Sequence, residues 1–203
     1  KERLTAVDVE LSQLTMKFGQ NVLDSTNAFE LVIDDEKRLA GLPESAIAAA
    51  RASAASKGLA SGYRFTLHAP SVMPVLTYLD DASIRETIWR AFNARATAAP
   101  FDNAPLVRRI LELRRERAQI LGKKDFADLV LEDRMAKTGE AAARFVRELE
   151  GPTRASFERE KQELTAFRRE LEGPAAKEIA PWDVGYYSEK LRTQRFDFDE
   201  EAL

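Results

Sequence analysis

Cysteine is absent from this 203-residue chain, so neither a disulfide framework nor a thiolate metal site can be built. Histidine occurs once, as His68. A metal-hydrolase helix needs two imidazoles one turn apart with a glutamate beside them as base, and one histidine cannot supply that pair. His68 follows a candidate strand and precedes Ala69-Pro70, a setting that suits a hydrogen-bonded edge residue better than a ligand. With no cysteine, a lone imidazole and no glycine-flanked serine, nucleophile and base pairs lack their parts. The 9 glycines are scattered, and none leads into a Lys-Ser or Lys-Thr pair that would cradle phosphate. The 31 basic residues are interspersed with 34 acidic ones, for a net charge of -3. No long block of one sign follows a phosphate backbone, so nucleic acid is not an expected partner. No stretch approaches the roughly 18 consecutive apolar residues of a membrane span, and the first residues show no apolar signal core. A cytoplasmic chain without a membrane partner is expected. Catalytic, cofactor-binding and metal residues are therefore expected to number none.

What is present is helical periodicity over a composition of 44% hydrophobic and 32% charged residues, enough for one apolar body or two small ones. Leu4, Val7, Leu11, Leu14, Phe18 and Val22 recur at three- and four-residue steps and predict a helix over the first twenty-odd residues. Phe29 to Ile33 and Tyr63 to Leu67 are short, β-branched or aromatic runs, and the second alternates apolar with polar. They predict a small antiparallel pair at 29–33 and 63–67. Between them an alanine-rich helix should run from Pro43 to Lys57, with Gly58 as its stop.

Helical patterns also cover Ser71 to Leu79, with Pro74 demanding a start or kink, and Ala82 to Ala98. Asn103 is placed to cap the helix that Gly122 ends. A long pattern follows Thr138 to Leu171, where Gly151-Pro152 should kink or split it and Thr138 with Ala141 leaves no complete capping box. Pro181-Trp182-Asp183 reads as another helix start. The fold class expected is mainly α, a multi-helix body with one two-stranded element, treated as a single unit over 1–203.

Four clusters invite a functional reading. The acids Asp34-Asp35-Glu36 and Asp80-Asp81 sit in turns, where capping or solvation is the plainer role. Arg108, Arg109, Arg114, Arg115 and Arg117 are interleaved with Glu112 and Glu116, as on a solvated helix face. Trp182 and Tyr186 lie one turn apart with Tyr187 adjacent, a stack for a peptide side chain or a core anchor. The core reading is favoured.

A family pattern is legible in order along the chain: Asn21-Val22-Leu23-Asp24, Gly41-Leu42-Pro43-Glu44-Ser45, Thr66-Leu67, Pro70-Ser71, Leu121-Gly122, Phe126-Ala127-Asp128, Met135-Ala136-Lys137-Thr138, and Pro181-Trp182-Asp183 before Tyr186-Tyr187-Ser188-Glu189-Lys190. These stretches resemble the thimet oligopeptidase, neurolysin and oligopeptidase A group of zinc peptidases, with the bacterial oligopeptidase A branch nearest in pattern. The resemblance implies a zinc-dependent hydrolase of short peptides. It also implies that the HExxH helix holding the zinc lies outside this sequence, which would be a non-catalytic wall of the substrate channel. Lys1-Glu2-Arg3 and Glu200-Glu201-Ala202-Leu203 read as cuts through helical sequence. Expected partners are then short peptides, the remainder of the polypeptide, and a second copy through uncovered apolar surface. A stand-alone helical scaffold or peptide-binding module is the alternative.

Overall fold

The computed structural model describes residues 1–196, so the expectation for Glu200 to Leu203 lies outside the described residues. The elements run α1 (Glu2–Ala28), β1 (Leu31–Ile33), α2 (Glu44–Ser56), β2 (Tyr63–Phe65), α3 (Ala69–Tyr78), α4 (Ala82–Asn93), α5 (Ala104–Ile120), α6 (Phe126–Leu131), α7 (Gly139–Glu172) and α8 (Val184–Phe196). The mainly α expectation with one two-stranded antiparallel element is met. The chain divides into two compact units, one of 1–24 with 96–157 and one of 25–95 with the residues from 158 onward.

In the first unit α1 and α5 lie antiparallel. The start of α1 meets the end of α5 through Arg3–Glu116 and Arg117–Asp8 at 2.7 Å, Glu10 meets Arg109 at 2.6 Å, and Asn21 near the end of α1 reaches Asn103 at the start of α5. The arginine face of α5 is thus matched to acids on α1 as well as to its own Glu112, 3.1 Å from Arg109. These partly exposed pairs set register more than stability. Beneath them Val7, Ile110, Leu113 and Ala118 are buried. Asn103 stands at the start of α5, yet its side chain does not cap the helix. Its amide instead donates to Phe18 O at 3.1 Å and accepts from Asn21 Nδ2 at 2.9 Å, while Asp102 Oδ1 takes the Ala104 N–H. A buried amide must satisfy itself first, and the facing helix offers both partners.

The split allowed for at Gly151-Pro152 does not occur, and α7 continues through it. The carbonyl that Pro152 leaves without a donor belongs to Glu148, an exposed residue that water can reach. Thr138 Oγ1 does accept the Ala141 N–H at 3.1 Å, so the start of α7 is capped without the second half of the box. The short α6 had no separate signal. It is set by Asp125, whose carboxylate takes the Asp128 N–H at 2.9 Å.

The second unit holds the main apolar cluster: Ile33, Leu39, Phe65, Val72, Val75, Leu79, Ile84 and Ile88 among others. Strand register pairs Leu31 with Phe65, Val32 with Arg64 and Ile33 with Tyr63. The ladder ends at Phe65 because the next donor, Thr66 N–H, turns to Ser71 Oγ at 3.0 Å. α3 starts at Ala69 and carries Pro74 inside it. α4 stops at Asn93, short of Ala98, and just beyond it Arg95 Nε donates to the Phe92 carbonyl at 2.7 Å. Asp35 and Asp81 cap their helical turns, Asp81 accepting from Ser83 and Ile84 N–H.

Gly41 adopts φ +88°, and a Cβ there would stand 2.3 Å from Tyr78 O. Both the left-handed backbone and the close carbonyl require glycine. Gly41→Ala is expected to destabilise the second unit by about 2 kcal/mol or more, measured as a lowered melting temperature with secondary structure retained below the transition.

Candidate functional site

The Trp-Asp-x-x-Tyr-Tyr segment singled out in the sequence folds into a buried ionic and aromatic cluster. Asp183, 2% exposed, precedes α8, and its main-chain oxygen accepts the Tyr187 N–H at 3.0 Å. Its carboxylate accepts from Arg85 Nη2 at 2.6 Å and from Arg168 Nη1 at 3.0 Å. Arg85 is 1% exposed. Its Nη1 donates to the carbonyls of Leu79 at 2.6 Å and Asp80 at 3.1 Å, capping the end of α3. The guanidinium lies 4.0 Å from the centroid of Tyr186, while its Nε is buried without a hydrogen-bond partner. Ring contact takes the place of that bond.

A second layer surrounds this core. Tyr186 and Tyr187 meet edge to face at 5.0 Å between centroids. Tyr186 donates its hydroxyl to Asp80 Oδ1 at 2.6 Å, and Lys190 Nζ lies 3.5 Å from the same oxygen. Tyr187 donates to Glu172, which also accepts from Arg168 Nε at 2.9 Å. Trp182 packs on Trp89 at 5.8 Å with Arg90 over its ring. Trp182 and Tyr186 therefore use different neighbours, and the core-anchor reading of this segment holds for the two tyrosines, both buried. Gly185 lets α8 approach α3: a Cβ there would be 3.1 Å from Leu76 O.

Burial, followed by the hydrogen bond to Asp80, pushes the Tyr186 hydroxyl up, and burial and Glu172 do the same for Tyr187. Burial pushes Glu172 up as well, but the Tyr187 hydroxyl and the Arg168 guanidinium outweigh it and hold this carboxyl below its usual range. A cleft of about 560 Å³ opens beside the cluster, lined in part by Tyr78, Leu171, Tyr186, Glu189 and Lys190.

The side chains of the cluster are committed to one another, which makes it a clamp joining α3, α4, α8 and the end of α7. Sequence reasoning did not single out Arg85, Arg168 or Glu172. Arg85 carried a signal nonetheless, since it is flanked by Ile84 and Ile88 on the buried face of α4. Zinc does not fit the donors at hand. His68 is exposed ahead of α3, and Asp35 and Asp81 are bound to helix N–H groups. Asp183 and Glu172 are held by arginines. Among the described residues, no three histidine or acidic side chains converge on a possible metal position.

Residues 75–203 match Peptidase family M3. The chain is 39% identical over 208 residues to oligopeptidase A of Haemophilus influenzae and 38% identical over 208 residues to that of Escherichia coli K12, in each case using 100% of this chain and 30% of the relative. It is also 32% identical over 204 residues to a dipeptidyl carboxypeptidase of Escherichia coli K12, again with 100% and 30% covered. The chain belongs to Peptidase family M3, and it spans about 30% of the length of these relatives.

Two outcomes follow from the clamp. Asp183→Ala strands two guanidinium groups and should cost about 3–5 kcal/mol, as should Arg85→Met, while the double variant should lose clearly less than the sum; chemical denaturation of the four proteins checks this. The tyrosines ionise later in the fold than in the open chain, where the value is about 10. Their contribution is thus complete below that pH and is lost as pH rises above it. Glu172 acts in the opposite sense, its contribution being present above about 4 and lost as pH falls further. Thermal melts across pH, with Tyr187→Phe flattening the alkaline side, test the sign.

Proposed function

We propose that this chain is a non-catalytic segment of a zinc-dependent oligopeptidase that hydrolyses short peptides, and that its helices form one wall of the substrate channel. End-to-end similarity to oligopeptidase A over less than a third of that enzyme's length carries the reading. The similarity to a dipeptidyl carboxypeptidase keeps the substrate class at short peptides without fixing where they are cut. Zinc belongs to the part of the enzyme that supplies its ligands, because the one imidazole here stands alone. The role of this segment is to hold shape. The Arg85–Asp183–Arg168 clamp fixes α8 and α4 so that a wall stays rigid while peptides pass. Cytoplasmic location is part of the same proposal, supported by the lack of cysteine.

A stand-alone peptide-binding module is the second reading, favoured by the cleft beside Tyr186. The arginines of α5 lend it less, since Arg109 and Arg117 already face acids of α1.

The chain alone, incubated with short peptides and added zinc, should give no turnover. Cleavage that appears with zinc and disappears on chelation would refute the non-catalytic assignment. The coding sequence following the Leu203 codon is expected to continue in frame to a His-Glu-x-x-His helix, and a stop there would favour the binding module.

A further inference from the structure

Arg64 stands where solvent is expected to claim it. Strand register sets it opposite Val32, on the face of β2 away from the core residues Tyr63 and Phe65, and Val32 is 40% exposed. The Arg64 side chain is nonetheless only 11% exposed. Ala46, Ala49, Ala50 and Ser53 share one face of α2, and these short side chains leave room for a long one beside β2. Arg64 Nη1 donates to Ser53 Oγ and Nη2 to Glu30, each at 2.8 Å. Its Nε is buried without an acceptor. Arg85 and Arg114 also leave Nε unpaired, but their guanidinium groups lie over the rings of Tyr186 and Phe126. Among the described residues no such ring serves Arg64. A buried donor left unanswered is costly, so this one calls for an acceptor from outside the protein.

The space for that acceptor is present. A pocket of about 160 Å³ lies between α2 and the segment from Arg64 to Ser71, walled by the alanines of α2 with Phe65 and Pro70. The Thr66 and Ser71 hydroxyls that line it each accept a main-chain N–H, at 3.4 and 3.0 Å, which leaves their own protons to donate. Arg64 and Lys57 share the one carboxylate of Glu30, at 2.8 and 3.1 Å, so one positive charge is left over. Unspent donors and surplus positive charge select an anion. Phosphate fits poorly, because some of its oxygens would face alanine and phenylalanine without a partner. Hydrocarbon fits those walls, and a cavity of about 150 Å³ holds a group the size of benzene.

We infer that the pocket between α2 and the start of α3 binds a monocarboxylate carried on a compact apolar group. Arg64 and the Thr66 and Ser71 hydroxyls take the carboxylate, and the hydrocarbon lies on the alanines. Nε is out of reach of water, so the guanidinium tilts toward the ligand as it seats. The site is separate from the Asp183 clamp and does not depend on the oligopeptidase reading, since binding is measured without turnover.

A free acid and the last residue of a peptide present the same group, so isocaproate and N-acetyl-alanyl-leucine are titrated separately into the whole chain by calorimetry. Saturable binding of the first assigns a free acid and of the second a peptide end; either supports the site. Isocaproamide, alike in shape but uncharged, should bind about tenfold more weakly or worse, and Arg64→Met should weaken carboxylate binding by a similar factor. Ala49→Leu fills the pocket from an exposed position on α2 and leaves every donor in place. It should abolish binding while the protein melts like the parent, and it decides the matter if Arg64→Met does not fold. Three results would overturn the inference: binding of neither acid, equal binding of the amide, or binding unchanged by Ala49→Leu.

Discussion

The second compact unit depends on one buried carboxylate. Asp183 has two guanidinium groups around it, from Arg85 and Arg168, and almost no contact with water. Charges withdrawn from solvent are costly unless each is fully answered, so their placement leaves little freedom. Arg85 must reach both Asp183 and the carbonyls of Leu79 and Asp80, which fixes the end of α3 relative to α4 and the start of α8. Arg168 must reach both Asp183 and Glu172, which fixes the end of α7. The tyrosines fill the remaining volume and return their hydroxyls to the acids of the rim. An apolar cluster alone would tolerate sliding of these helices, whereas a forked donor with assigned acceptors does not.

The family assignment and the chemistry point in different directions along the chain. Membership in Peptidase family M3 connects the sequence with peptide hydrolysis, yet the acidic groups at its most distinctive motif are engaged by arginine or tyrosine. A motif can be specific to a family because it is hard to build rather than because it reacts. Trp-Asp-x-x-Tyr-Tyr is of that kind here: every residue in it that stands out is engaged in holding helices together.

Much of the architecture was legible in the sequence. Helical periodicity and end signals placed α1, α2 and α5 close to their observed spans, Pro181-Trp182-Asp183 marked the start of α8, and alternation at Tyr63-Arg64-Phe65 located the sheet. These signals are local, carried by side chains a turn or a pleat apart. The misses came where a distant partner decided the outcome. Asn103 looked like a cap, but it is used by Asn21 and Phe18 far away in sequence. Gly151-Pro152 looked like a break, but a helix whose carbonyls face water can lose one bond and continue. Arg85 and Arg168 lay among many other arginines, and only the fold shows that both turn to the buried Asp183 carboxylate while others are solvated.

The distribution of sulfur has a consequence of its own. With no thiol in the chain, its sulfur resides in 3 methionines, and Met16, Met73 and Met135 all project into solvent. Both cores are thus built from hydrocarbon and aromatic rings that mild oxidants do not attack. Peroxide would turn the thioethers to sulfoxides at the periphery while the interior packing stayed chemically unchanged.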